Sequence, residues 1–144
     1  MTQKTNILKY TRIGAFLWFG GYQVAEDFSY QTQITGYEVT GEQYRLDKAG
    51  RLFGKKFYVW DGPTGAIKTK DFIAGSLVHD ILCEMINKRE LPQKLQCMAD
   101  EEMLILNRSQ KMPAIRRALT FAAVTMHMNT KGKAYIPKVF EVSL

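Results

Sequence analysis

Cysteine is scarce in this chain of 144 residues: Cys83 and Cys97 are the only two, they show no CxxC spacing, and both fall in segments that read as helix. A Cys-rich framework is thereby excluded, and reduced thiols in a cytoplasmic protein are the expectation, with a single disulfide left open. Long apolar runs are missing too. The longest near the N-terminus, "GAFLWFGG" at Gly14 to Gly21, falls far short of the roughly 20 residues a bilayer span needs. It also makes a poor signal peptide, being short, broken by glycine and followed by no clean small-residue cleavage site. Residence in the cytoplasm is the expectation, and a protein released later by cell lysis would share the pattern. No GxGxxG, Walker loop or GxSxG elbow occurs, so dinucleotide, nucleotide-triphosphate and α/β-hydrolase readings lack support.

What is present is ordinary for a globular chain. With 46% hydrophobic and 24% charged residues, wholesale disorder is unexpected, and the length suits one domain over 1–144 with a core of its own. The net charge of +6 is uneven. Residues 1–102 hold 13 basic and 13 acidic side chains, whereas residues 103–144 hold seven basic ones against Glu141 alone. Such asymmetry can attract nucleic acid, with Arg116, Arg117, Lys131 and Lys133 as the phosphate contacts. A solvated helix face followed by a Lys-rich loop is the simpler explanation.

Two halves differ in pattern. Residues 1–62 read mainly as strands: "YQVAEDFSYQTQI" places Tyr22 and Val24, then Phe28, Tyr30 and Thr32, on a period of two, with "AED" as a turn or bulge. "EQYRLDKAGRLFGKKFYVW" reads as a hairpin that turns at "DKAG" and resumes in "FYVW" as a buried strand. Residues 69–128 read mainly as three helices. The first is capped at Thr69 and runs to about Lys88; the second spans Gln93 to Asn107. The third starts at Pro113 and runs to about Met128, with Ile115, Leu119, Ala122 and Met126 on one side. Residues 129–144 form a basic loop, and Pro137 limits any strand there to an edge. The expected class is α+β, an antiparallel sheet packed by a helical cluster.

Within the first helix "SLVHDILCEM" carries one of only two histidines. At about 100° per residue, Leu77, Val78, Ile81, Leu82 and Met85 gather on one side, and Ser76, His79, Asp80, Cys83, Glu84 and Asn87 form the opposite strip. Short polar groups there suit a packed polar cleft better than open solvent. Asp61 in the "WDGPTG" turn and Asp100 in "MADEEM" can reach the same cleft. A histidine with two or three carboxylates is a fair shell for Zn²⁺, Mn²⁺ or Mg²⁺, whose bound water becomes a nucleophile near neutral pH. His79, Asp80, Asp100 and Asp61 are therefore the candidate metal ligands and catalytic groups.

Each residue also has a structural explanation. His79 can be a satisfied core histidine, Asp61 a turn-closing acceptor, and Asp80 half of an ion pair. Asp100, Glu101 and Glu102 can form a solvated charge run, and His127 can meet a helix dipole. A Cys83–His79 nucleophilic pair fits one-turn spacing, but nothing in the sequence orients the histidine as a base. "HD" alone is short of the HD phosphohydrolases, which need further histidines upstream.

The succession "YQVAEDFSYQT", "KKFYVWDGPTG", "TKDFIAGSLVHDIL" and "ADEEM" resembles a family of small phage and prophage proteins, the domain of unknown function 1353. The likeness spans roughly residues 22–128, and Asp61, His79, Asp80 and Asp100 are its matching polar positions. The chain departs from the pattern in lacking a second Pro-Thr after "WDGPTG" and in carrying "ILCEM" where an aromatic "ALYQL" is usual. The resemblance implies phage origin and supplies no activity. The leading expectation is a phage-encoded metal-dependent hydrolase acting on a cell-wall peptide during infection or lysis. The alternatives are a non-enzymatic phage protein of the host cytoplasm or the virion, either a virion or tail-module component or an inhibitor binding a host protein, and a weak nucleic-acid binder through the basic C-terminal third.

Overall fold

Strand pairing in the first half supplies the platform for the helices. The computed structural model describes residues 7–16, 19–61 and 70–130. β1 (Tyr10–Phe16) and β2 (Phe19–Val24) pair antiparallel from Tyr10 opposite Val24, with a bulge between Ile13 and Phe16. β3 (Phe28–Gln31), β4 (Val39–Thr40), β5 (Tyr44–Leu46), β6 (Arg51–Gly54) and β7 (Val59–Trp60) follow. They assemble into two antiparallel sheets, of order β1-β2-β7 and β3-β6-β5-β4. The "DKAG" turn lies where the sequence places it. Asp47 Oδ1 accepts the Arg51 N–H at 2.8 Å, and Gly50 takes φ +87°, a conformation that suits a residue without Cβ.

The hairpin differs from expectation at its far end. Its second strand is Arg51–Gly54, and "FYVW" contributes only Val59 and Trp60, paired to β2 in the other sheet. Phe57 takes a left-handed φ of 77° and, like Val59, faces outward, while Tyr58 and Trp60 are buried. The period-two pattern was sound for Tyr58 and Trp60; the lysines before it turn the chain instead of extending it. At the crossing with β7, a Cβ on Gly21 would lie 2.8 Å from the Trp60 carbonyl oxygen, so the close strand approach needs glycine there.

Three helices follow: α1 (Ile73–Asn87), α2 (Gln96–Ser109) and α3 (Ala114–Thr130). Short 3₁₀ turns at Lys70–Phe72 and Gln93–Leu95 lead into the first two. The expected cap Thr69 lies outside the described residues, and Phe72, which precedes α1, makes no side-chain cap. Arg89 and Lys111 take φ near +60° just after α1 and α2, a left-handed exit more often made by glycine. Pro92 and Pro113 then prevent either helix from resuming through its neighbour.

The core lies where both sheets meet α1. Val24, Ile34, Leu46 and Leu52 from the strand half pack with Leu77, Ile81, Leu82 and Met85, all at most 1% exposed. This is the apolar stripe read from the sequence. Burying one such side chain contributes about 1.5–3 kcal/mol, so this cluster outweighs the uncapped start of α1. α3 is held differently, by Phe121 against Phe72, Met103 and Met112. Its Ile115 and Leu119 are 79% and 65% exposed, and Ala122 is exposed too, so that side of α3 faces solvent. The Met126 side chain, the basic loop and the proposed edge strand lie outside what is described. Among the described residues no helix is long and apolar enough to cross a membrane.

Candidate functional site

The polar strip of α1 faces α2 and β7, and the contact brings together residues that are far apart in sequence. Trp60 donates its indole N–H to Ser76 Oγ at 3.0 Å, and Ser76 in turn donates to the Ile73 carbonyl at 2.9 Å. One turn on, His79 Nε2 lies 2.7 Å from Asp100 Oδ1, joining α1 to α2. His79 and Asp100 are 7% and 4% exposed. A buried histidine–carboxylate pair at this distance is a charge-assisted hydrogen bond that fixes the ring.

Asp80 stands on the other side of the imidazole. Its Oδ1 is 3.9 Å from His79 Nδ1, and its side chain stays 37% exposed. Asp61 follows β7, is exposed, and acts electrostatically on Asp80. Asp80 and Asp100 thus flank the His79 imidazole, and Asp61 reaches the group only through its charge on Asp80. Asp100 and Glu102 are buried, so the "ADEEM" run is no solvated charge cluster; Glu101 alone is exposed. Glu102 faces elsewhere, accepting from Tyr30 Oη at 2.8 Å and the Gln33 N–H at 2.6 Å. The His127 side chain lies outside those described.

Two further contacts complete the site, the Cys83–His79 approach that one-turn spacing offered and a Gln96 contact that the sequence did not single out. Cys83 Sγ lies 3.5 Å from His79 Nε2 and 3.8 Å from Nδ1, and the Gln96 amide nitrogen is 3.3 Å from the sulfur and 3.1 Å from Asp100 Oδ1. The missing orienting group for His79 is therefore present in Asp100. However, the sulfur sits nearer the nitrogen already bound to Asp100. In a nucleophile–imidazole–carboxylate relay the nucleophile and the carboxylate occupy opposite nitrogens, so the nucleophilic cysteine reading gains nothing. The one-turn spacings His79–Cys83 and Gln96–Asp100 were the available signal for both contacts.

Electrostatics separates the two flanking carboxylates. Burial alone would push the His79 imidazole down; the adjacent Cys83 sulfur, the Asp100 hydrogen bond and Asp80 overcome it, holding the ring's pKa well above the ordinary histidine value. Asp80 is raised above the usual aspartate range, first because surrounding protein displaces water from its carboxylate. His79 opposes that shift, and the charges of Asp61 and Glu84 add to it. Glu84 is itself tied down, accepting from Tyr58 Oη at 2.7 Å and Lys88 at 2.7 Å.

The chain matches no family model, no curated protein and no solved structure. The site must be judged on its own chemistry. Among the described residues no three His, Cys, Asp or Glu side chains are grouped to hold a metal ion. His79 and Asp100 meet directly, at a hydrogen-bond distance, so this grouping does not fit the expected Zn²⁺, Mn²⁺ or Mg²⁺ shell. The phosphate-binding candidates are partly engaged. Arg116 pairs with Asp71, and Arg117 donates to the Met112 carbonyl at 3.1 Å; Lys131 and Lys133 lie outside the described residues.

Proposed function

We propose that the chain is a small phage- or prophage-encoded hydrolase in which His79 and Asp80, set by Asp100, form an acid/base pair acting on a cell-wall peptide. One observation carries this reading: His79 is anchored through Nε2 on buried Asp100 at 2.7 Å, while Nδ1 faces the partly open Asp80 carboxylate at 3.9 Å. The two pKa directions give the roles. An imidazole raised above its usual range is a proton donor at neutral pH, and a carboxylate raised above its own is the better base. Asp80 takes a proton from water as the oxygen bonds to the amide carbonyl carbon. His79 gives its Nδ1 proton to the departing nitrogen as the C–N bond breaks. Return of the proton from Asp80 to His79 restores the starting state. The phage origin and the cell-wall substrate rest on the resemblance of the quoted motifs.

The test is release of new amino groups from purified peptidoglycan stem peptides, together with metal analysis of the wild-type and His79→Ala proteins. Wild type should release them, and Asp80→Asn should fall by about 10²–10⁴-fold, the usual contribution of a positioned acid or base. A second reading, a non-enzymatic phage protein, is favoured by the burial of His79, Cys83 and Asp100. It is also favoured by two open cavities of about 670 and 420 Å³ whose linings include none of His79, Asp80 or Asp100. In that case the pair only clamps α1 to α2. No hydrolysis by wild type, with substitutions that alter melting alone, selects it.

A further inference from the structure

Gln96 is the first residue of α2, one turn before Asp100, and it is not among the residues assigned a role above. Its Nε2 donates to Asp100 Oδ1 at 3.1 Å, the same oxygen that meets His79 Nε2 at 2.7 Å, and also approaches Cys83 Sγ at 3.3 Å. The other end of the amide, Oε1, is buried with no hydrogen-bond partner.

That asymmetry is informative. A carboxylate accepts and cannot donate, and an amide oxygen also only accepts. Reversing the amide would set Oε1 against Asp100 Oδ1, acceptor to acceptor. The amide therefore keeps its hydrogens on Asp100 and Cys83 and leaves a buried acceptor unmatched, which is ordinarily unfavourable. A side chain present only to join two helices gains by satisfying both ends; this one is arranged around the Asp100 carboxylate.

Two carboxylates compete for the His79 ring, Asp100 at Nε2 and Asp80 at Nδ1. Rotation of the Asp100 carboxylate would weaken the first contact and let the ring turn towards Asp80. We propose that Gln96 is a positioning residue that holds Asp100 Oδ1 on His79 Nε2 and so keeps Nδ1 as the nitrogen working beside Asp80. The role in catalysis rests on the hydrolase reading, but the placement of the proton is measurable without any activity.

The experiment is ¹⁵N and ¹H NMR of the histidine ring in the full chain, with melting followed by circular dichroism. The variants are Gln96→Met, which keeps length and removes the donor, and Gln96→Asn, which keeps the amide one methylene too short. Wild type should show a far-downfield Nε2–H resonance protected from exchange with water. In both variants that proton should move upfield and exchange about tenfold faster, the effect of losing a hydrogen bond of ordinary net strength, while the melting temperature falls by no more than the few degrees such a loss implies. Folded variants that keep the wild-type resonance and exchange rate overturn the proposal. So does failure of both variants to fold, since Gln96 would then be structural. A shifted resonance in a protein that hydrolyses nothing upholds the positioning and removes the hydrolase reading alone.

Discussion

A double-mutant cycle across His79 and Asp100 tests the contact on which the site depends. Both side chains are buried and their atoms are 2.7 Å apart. In His79→Asn the shorter side chain no longer reaches Oδ1, and Asp100 is left with the Gln96 amide as its remaining side-chain donor. Removing one partner of a buried pair costs about 3–5 kcal/mol. Asp100→Asn is milder, because the new amide oxygen still accepts the Nε2–H, so the loss is about 1–2 kcal/mol. The double variant strands no charge, and its cost should fall below the sum of the singles by about 1–3 kcal/mol.

Urea unfolding monitored by circular dichroism reads all four corners, and His79→Asn alone should lower the melting temperature by roughly 6–20 °C. The sign of the pH dependence follows from the raised His79 value. Stability from a histidine held protonated by the fold is fully present below its unfolded pKa of about 6.5 and is lost as pH rises through the folded value. Coupling should therefore be largest near pH 6 and shrink in alkali. Costs that add within about 0.5 kcal/mol near pH 6 would refute the reasoning.

Other outcomes follow from particular contacts. Asp80→Asn should melt at or slightly above wild type at neutral pH, because the fold disfavours the ionised carboxylate it removes; a clear loss in thermal melts argues that Asp80 is part of the clamp. Gly75→Ala should destabilise despite the better helix propensity of alanine, since its Cβ would overlap the Asn107 side chain on α2 and lie 3.1 Å from the Met103 carbonyl oxygen. Calorimetry showing a gain would mean that α1 and α2 part without penalty. Binding to a DNA duplex, if it occurs, should weaken steeply with salt; charge reversal at Arg116 and Arg117 with no effect on titrated affinity removes those two as phosphate contacts.

Much of the fold was legible because its signals are local. The apolar stripe of α1 and the "AED" and "DKAG" turns follow from residue spacing, and their placement agrees with the structure. "FYVW" misled because period two in Tyr58 and Trp60 says nothing about which sheet they join; that is decided by β2, more than 30 residues earlier. The apolar side of α3 misled differently. Helix periodicity identifies a face without saying what covers it, and Ile115 and Leu119 face outward while Phe121, with Arg116 pairing to Asp71, ties the helix down. In the site, the approach of Asp100 to His79 was readable as a candidate. The Cys83 approach to His79 was offered by their one-turn spacing on α1; the Gln96 contact with Cys83 was not, because it depends on how α1 and α2 pack.

The arrangement of the two aspartates bears on whether the site is a clamp or a catalyst. A clamp between α1 and α2 is complete with His79, Asp100 and the Gln96 amide, all joined at 3.1 Å or less. Nothing in that task calls for a second carboxylate beside Nδ1. Asp80 nevertheless stands there, with Glu84 and Asp61 near enough that their like charges raise its pKa further. Holding a carboxylate in unfavourable surroundings opposes folding, and proteins tolerate such local cost mainly where the strained group has work to do. Asp100 shares Asp80's chemistry and differs in setting, being buried and doubly hydrogen-bonded where Asp80 is partly open and crowded by negative charge. Two like residues given unlike environments around one imidazole is the pattern by which acid/base roles are divided. If Asp80→Asn retains full stability yet abolishes turnover, that division is the reason for the placement.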